Sequence, residues 1–210
     1  MRLSRFLAVG LSLSAAGVQA QTSNDHLVDL LQKPGSAGLG FISRVEQSPY
    51  EGGGARTDLL PLYLYEGERF YLSADRAGFK LIEEDAQRMD VYLARRLEGF
   101  PQDDVTPELE GMAYREVGVD LGLGYRLNRD WGSLRTSVLH DVGDISNGSE
   151  IRVGYSFDVH GARWVLRPDI TVSWRDSKLN DYYYGVELDE VEADRPAYAP
   201  GSGVNVSLGL

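Results

Sequence analysis

Three histidines, His26, His140 and His160, and no cysteine bound the side-chain chemistry open to this 210-residue chain. Ser137, His140 and Asp141 lie close enough in sequence to be drawn as nucleophile, base and orienting acid. Nothing marks Ser137 as activated, however, and His140 continues the alternating series Leu134, Thr136, Val138. It reads as a structural histidine near a strand end, because spacing alone does not meet the geometric requirement of a triad. Asp144, Asn147 and Glu150 resemble a fragment of a calcium loop, but the full ligand spacing is incomplete. A hairpin turn explains Asn147-Gly148 without a metal, since both residue types tolerate positive φ. Two acidic groups, Asp103-Asp104 and Asp189, Glu190, Glu192 and Asp194, read as solvated loops, with divalent-cation bridging to lipopolysaccharide as the functional alternative. The Tyr182-Tyr183-Tyr184 run fits an interfacial aromatic girdle or a loop anchor, the girdle being the more ordinary explanation. No catalytic, cofactor-binding or metal-ligating set is assigned, and the chain reads as a non-enzyme without a cofactor.

The elements that must carry these residues have a period of two. Val117, Val119, Leu121, Leu123, Tyr125 and Leu127 alternate with Gly118, Asp120, Gly122, Gly124 and Arg126. The same holds for Ile151 to Val159, interleaved with Arg152, Gly154, Ser156 and Asp158, for Trp164 to Trp174, and for Val204 to Leu210. Each such segment is a strand with one greasy and one polar face. Weaker strand patterns cover Leu39 to Glu46, Leu59 to Tyr65, Phe70 to Ala74, Phe79 to Ile82, Met89 to Leu97 and Leu134 to Asp141. Pro61 and Pro168 fall inside strands and predict local irregularity, each forfeiting a ladder donor. Only Asp25 to Leu31 suggests a turn of helix.

Connections alternate between short ones (Glu66-Gly67, Glu83 to Ala86, Asn128 to Asp130, His160 to Ala162) and mostly longer ones rich in Gly, Pro and acid (Gln47 to Thr57, Glu98 to Ala113, Ile145 to Glu150, Asp176 to Pro200). Asp75 to Gly78 is the exception, short where a long loop is expected. Tight turns at one end and long loops at the other are the plan of an outer-membrane barrel, turns toward the periplasm and loops outside. A soluble barrel or sandwich with the apolar face inward shares the alternation. The membrane reading is favoured because the polar face is rich in Gly, Arg and Asp and poor in Lys and Glu, which suits a narrow lumen better than a solvated exterior. Several segments also reach about ten residues, enough to cross a bilayer at a barrel's tilt.

The N-terminus agrees with export. Met1 to Arg5 is a short basic opening, Phe6 to Ala16 is apolar, and Val18-Gln19-Ala20 supplies small residues for cleavage after Ala20. The organisation read from this is a signal peptide at 1–20, an N-terminal periplasmic segment at 21–36 and the barrel at 37–210. The formal charge is −11, and removing Arg2 and Arg5 with the leader makes it more negative, so nucleic-acid binding is disfavoured.

Several segments resemble the MltA-interacting protein (MipA/OmpV) family of outer-membrane proteins. Ser48-Pro49-Tyr50-Glu51-Gly52 resembles the family's first external loop, and Leu60-Pro61-Leu62 with Tyr63 and Tyr65 its second strand. Arg69 to Ser73 and Gly78-Phe79 are similar to the following hairpin, and Gly124 to Leu127 and Arg167 to Trp174 fall where family strands do. Tyr182-Tyr183-Tyr184-Gly185-Val186, followed by Pro196-Ala197-Tyr198 and Gly201, resembles the characteristic late loop. The resemblance implies an all-β, antiparallel transmembrane β-barrel in the outer membrane, of about ten strands here, or about twelve if a C-terminal hairpin beyond Leu210 is restored. The family pattern continues past this loop to a terminal aromatic residue, whereas the chain ends at Leu210, which is read as truncation or a fragment.

The resemblance further implies a scaffold that holds a lytic transglycosylase near a murein synthase, in contact with outer-membrane lipid and lipopolysaccharide. Two other readings stay open. A lumen lined by Arg126, Arg152, Arg167, Asp120, Asp158 and Asp169 could serve a narrow porin or uptake channel for small polar solutes. The long loops could instead serve surface adhesion.

Overall fold

The computed structural model describes residues 36–47, 55–73, 75–99, 110–162, 164–193 and 195–210. The predicted leader, the Asp25–Leu31 helix, Ser48 to Gly52 and Asp103-Asp104 lie outside them. Among the described residues ten strands form one antiparallel meander in chain order. They are β1 (Ser36–Gln47), β2 (Ala55–Glu66), β3 (Phe70–Leu72), β4 (Arg76–Glu84), β5 (Gln87–Arg96), β6 (Gly118–Arg129), β7 (Gly132–Asp141), β8 (Ser149–Ser156), β11 (Asp169–Arg175) and β12 (Gly203–Gly209). The alternating segments that start at Val117 and Val204 lie on β6 and β12, while those from Ile151 and Trp164 run beyond β8 and β11. β1 and β12 are the two ends of the sheet and are not paired with each other among the described residues.

The two prolines behave differently. β2 runs through Pro61 in unbroken register with Phe41 of β1. Pro168 does interrupt its strand: the segment before it leaves the main sheet, and β10 (Val165–Leu166) pairs instead with β9 (Val159–His160) as a small separate hairpin. The predicted strand from Trp164 to Trp174 is therefore two pieces.

Burial is inverted relative to a soluble protein. On β6 and β12 the apolar side chains face out, with Leu121 46 %, Val206 63 % and Leu208 74 % exposed, while Asp120 is fully buried on the opposite face. Arg96, Glu150 and Arg175 are each only 1 % exposed. A water-soluble sheet would hide the apolar face, so this arrangement suits a hydrocarbon surroundings and a polar interior. The outward series from Val117 to Leu127 rises about 34 Å along the strand, or about 26 Å at a tilt of 40°, the height of an outer-membrane barrel's apolar band. Among the described residues no helix is long and apolar enough to cross a membrane.

An aromatic cluster marks the tight-turn end of the outer face. Trp131 stacks on Tyr155 and Tyr155 on Phe157, centroids 5.9 Å apart in both pairs. This interfacial position falls to these rings, and not to the Tyr182–Tyr184 run, which lies in a helix at the other end.

Inside, tyrosine rings cover inward-facing glycines. Tyr92 of β5 lies opposite Gly122 of β6, and Tyr71 of β3 opposite Gly78 of β4. A Cβ on Gly122 or Gly78 would sit within the van der Waals surface of the facing ring. Each bare glycine is thus the seat of a cross-strand aromatic, which restores the packing a strand glycine lacks. Gly122→Val is expected to destabilise the barrel by about 1–3 kcal/mol through overpacking. Adding Tyr92→Ala should recover most of that loss, measured by urea unfolding in detergent; a double variant no better than the single would show that the ring does not define the seat.

Candidate functional site

The interior near the long-loop end is built from charges. Arg96 at the end of β5 forms an ion pair with Asp120, Nη2 lying 2.7 Å from Oδ2, and donates Nη1–H to Glu150 Oε2 at 2.9 Å. Glu150 also accepts from Arg152 at 2.7 and 2.8 Å and from Arg175 Nε at 3.3 Å. Arg175 in turn holds both oxygens of Glu98, at 2.6 and 3.0 Å. Three arginines and three carboxylates therefore compensate one another away from water, and ion pairs of this kind resist loss of either partner.

Their placement reports the curvature of the sheet. Arg175 on β11 and Glu98 just past β5 are four strand positions apart, which on a flat sheet is about 19 Å. Two side chains cannot bridge that, so the sheet curls until the pairs meet across the interior.

The sequence-derived lumen residues divide into groups. Asp120 and Arg152 belong to this cluster. Arg126 lies deeper, beside a small cavity. Arg167 and Asp158 pair at the tight-turn end, Nε to Oδ1 at 2.5 Å, where both remain about one-third exposed. Asp169 faces Gly209 on β12. Arg96, Arg175 and Glu98 were not singled out by sequence, and Glu150 was placed in a loop. The signal was an acid or arginine at the last inward position of each strand, blurred by uncertain strand ends.

The proposed chemistry of the other residues is not assembled. Ser137 faces the interior whereas His140 lies on the outer face, its Nδ1 3.0 Å from Ser149 Oγ. Asp141 instead accepts backbone N–H groups from Gly143, Ile145, Ser146 and Asn147, ordering the β7–β8 loop. Asp144 accepts from Asn147 Nδ2 at 2.7 Å, while Glu150 points into the arginine cluster, so the residues of the calcium-loop fragment diverge. The hairpin signalled by Asn147-Gly148 joins β7 to β8, within a connection that starts after Asp141; Asn147 has positive φ (53°) but Gly148 does not. Gly148 is required for another reason, since a Cβ there would meet Leu179 Cβ at 2.6 Å.

Leu179 belongs to an element the alternation did not reveal. Within the predicted late loop, Ser177–Tyr184 forms a helix, α1, followed by a short 3-10 turn at Leu188–Glu190. Asp176 caps α1 by accepting from Leu179 N and also takes Ser149 N, both at 2.9 Å, tying the helix to β8. At its other side Asn180 Nδ2 donates to Gly201 O at 2.8 Å, just before β12. Tyr183 is buried, with Oη donating to Glu116 O at 3.2 Å above Gly118 and Arg96. The tyrosine run is a loop anchor.

Glu190 is likewise no solvated loop acid. It is buried and held by both guanidinium nitrogens of Arg115 at 2.7 and 2.8 Å, and by Ala113 N and Glu187 N. Glu192 pairs with Arg195 at 3.0 Å, and Asp194 lies outside the described residues. Burial alone would raise the Glu190 carboxyl, but the Arg115 fork and these N–H donors hold it down at about 2.

Two cavities lie among the described residues of the interior. A small one of about 70 Å³ lies in the middle of the lumen, and a wider one of about 910 Å³ opens at the tight-turn end; Arg88 and Arg126 border both.

Comparison with known proteins agrees with this architecture. The family described as MltA-interacting protein MipA matches residues 38–210. YiaT of Escherichia coli is 28 % identical over 155 residues, covering 72 % of this chain and 62 % of that protein. The outer membrane protein OmpV of Vibrio cholerae is 28 % identical over 147 residues, 69 % of this chain and 57 % of OmpV. The MltA-interacting protein of Escherichia coli is 25 % identical over 181 residues, 86 % of this chain and 71 % of that protein. The matched part of this chain thus spans less than two thirds of the length of the first two. No solved structure matches it.

Two outcomes are expected. Glu150→Ala removes the carboxylate that Arg96, Arg152 and Arg175 share and should cost about 3–5 kcal/mol of unfolding free energy in lipid vesicles; an unchanged midpoint would remove the cluster's structural role. Because the Glu190 carboxyl is depressed, its stabilisation is complete above its unfolded value near 4.5 and is lost as pH falls through about 2. Pepsin should spare residues 185–192 at pH 4 and nick them near pH 2, whereas Arg115→Gln should already be nicked at pH 4. Identical profiles for both proteins would refute the assignment.

Proposed function

Since the chain belongs to the MltA-interacting protein family of outer-membrane proteins, we propose that it is a non-catalytic scaffold barrel that positions murein-hydrolysing and murein-synthesising enzymes at the outer membrane. The observation that carries this reading is an interior occupied by paired side chains from Arg96 to Arg175 beneath an end covered by α1. A pore needs a continuous wet path, and ion pairs that close on one another leave little of one. A scaffold needs only a rigid wall and accessible rims. The name of one relative, MltA-interacting protein, supports a murein hydrolase of the lytic transglycosylase class as the partner.

In this proposal residues 1–20 are a cleaved leader, 21–36 a periplasmic segment, and the tight turns face the periplasm, where murein enzymes act. The outward apolar face meets outer-membrane lipid, and the loop end faces lipopolysaccharide.

Affinity-tagged full-length protein, solubilised from envelopes in mild detergent, is expected to retain a lytic transglycosylase and a murein synthase, and the purified protein to give no resolvable current in planar bilayers. Steady conductance with no retained murein enzyme would replace the scaffold by the channel.

A further inference from the structure

One rung of the interior wall places like charges side by side. Arg88 of β5 is the direct partner of Arg126 of β6, and Arg126 of Arg135 of β7. The rung continues through Gly154 of β8 to Thr171 of β11. Like charges directly opposite on neighbouring strands repel, so such a row in a confined interior calls for an anion. Arg88 has Glu66, at 3.1 Å, but Glu66 also pairs with Lys80. The small central cavity beside this rung is lined by five arginines and, among the described residues, a single carboxylate, Asp90, which already accepts the Tyr71 hydroxyl.

Arg135 Nη2 and Thr171 Oγ1 border that cavity as buried polar atoms with no hydrogen-bond partner among the described residues. Thr171 is only 6 % exposed. Gly154 stands between them in the rung, and a Cβ there would come within 3.0 Å of Thr171 Oγ1 and 3.8 Å of Arg135 Nε, so the missing side chain keeps the space beside both groups open. Buried donors without partners are rare in native proteins, and each asks for a ligand or water. The cavity volume of about 70 Å³ holds a few waters or one small anion.

We propose that Arg126, Arg135 and Thr171 form a luminal site for a small oxyanion, the phosphate or carboxylate group of a solute that enters from the tight-turn end. A guanidinium fork matches the paired oxygens of such groups, and the threonine hydroxyl adds a third donor. Entry from that end follows from Arg126 lining both the cavity and the wide vestibule below it. The site does not depend on the scaffold role, because it uses the interior and not the rims.

Inorganic phosphate and acetate serve as separate probes on the full-length barrel in detergent, with chloride at equal ionic strength as the control. At a hundredfold excess over Kd, the preferred oxyanion is expected to raise the melting temperature by about 5 °C where chloride does not. Calorimetric affinity should fall about 10–100-fold in Arg135→Gln and less in Thr171→Val, while Arg135→Lys keeps the charge but loses the fork. In low salt without oxyanion, Arg135→Gln should melt higher than the parent, because it relieves the repulsion; a merely structural arginine would melt lower when removed. A response to phosphate alone or to acetate alone names the preferred group and supports the site. Equal responses to chloride, or an undiminished response in Arg135→Gln, overturn it.

Discussion

A barrel that turns its apolar side chains outward gives up the force that holds most proteins together. Its interior must cohere through charge and hydrogen bonding, and here Glu150 is the point on which that cohesion turns. Three arginines from β5, β8 and β11 converge on it, and through Arg175 they reach Glu98 on the far side of the curl. Backbone ladders fix neighbours but leave curvature soft; contacts between strands three and four places apart do not. The same pairs that neutralise the lumen therefore set how tightly the wall bends. Buried ion pairs are a poor source of net stability compared with well-packed apolar groups, but they are demanding about geometry. A lumen can use that property, since apolar residues there would compete with the lipid face for the same environment.

The middle of the wall solves a different problem. Strongly curved sheets crowd inward side chains, and glycine removes the crowding at the cost of packing. Seating Tyr92 on Gly122 and Tyr71 on Gly78 recovers the packing with one flat ring per gap. Arginines then stack over the rings: Arg88 lies 4.4 Å from the Tyr71 centroid and Arg76 4.8 Å from that of Tyr92. These contacts add to the carboxylate pairing of Arg88 with Glu66 and of Arg76 with Asp75. The abundance of glycine, tyrosine and arginine in the sequence, with lysine scarce, is thus one arrangement and not three separate biases.

Most of the wall was legible in the sequence because side-chain alternation is a local signal. Leu121, Leu123, Ile151 and Val153 announce their face within a few residues, and the neighbouring Gly, Arg and Asp announce the other. The interruption at Pro168 was legible for the same reason. What was not legible is whatever depends on partners distant in sequence. Glu150 looks like a loop acid until Arg96, far earlier in the chain, is seen to reach it. Glu190 looks solvated until Arg115 closes on it. Helix α1 was missed although Asp176 is a good N-cap, because a two-turn helix has too few positions to show a period. Its Leu179 and Tyr183 are buried by the barrel rim and not by a face of the helix's own making. Pro61 erred in the other direction: the chain tolerates the lost donor without a break in register.

The rim and the charge cluster are one unit, and this makes the two ends of the barrel unequal. Tyr183 rests over Gly118 beside Arg96, so the helix sits on the cluster itself. Asp176 joins the helix to the strand that carries Glu150, and Asn180 and Asp181 join it to the approach of β12. The Arg115–Glu190 fork fastens the rest of the loop to the approach of β6. Moving this loop would expose the buried carboxylates and arginines beneath it, which ties its opening to the energy of the cluster. Among the described residues no comparable cover lies over the tight-turn end, where the vestibule bordered by Arg129, Asp158 and Arg167 is open and its charges are partly solvated. The described structure therefore presents a rigid, wired surface at one end and an accessible charged basin at the other. That asymmetry follows from where the late loop and its helix attach, since buried charges such as Glu66 and Lys80 lie at the open end too.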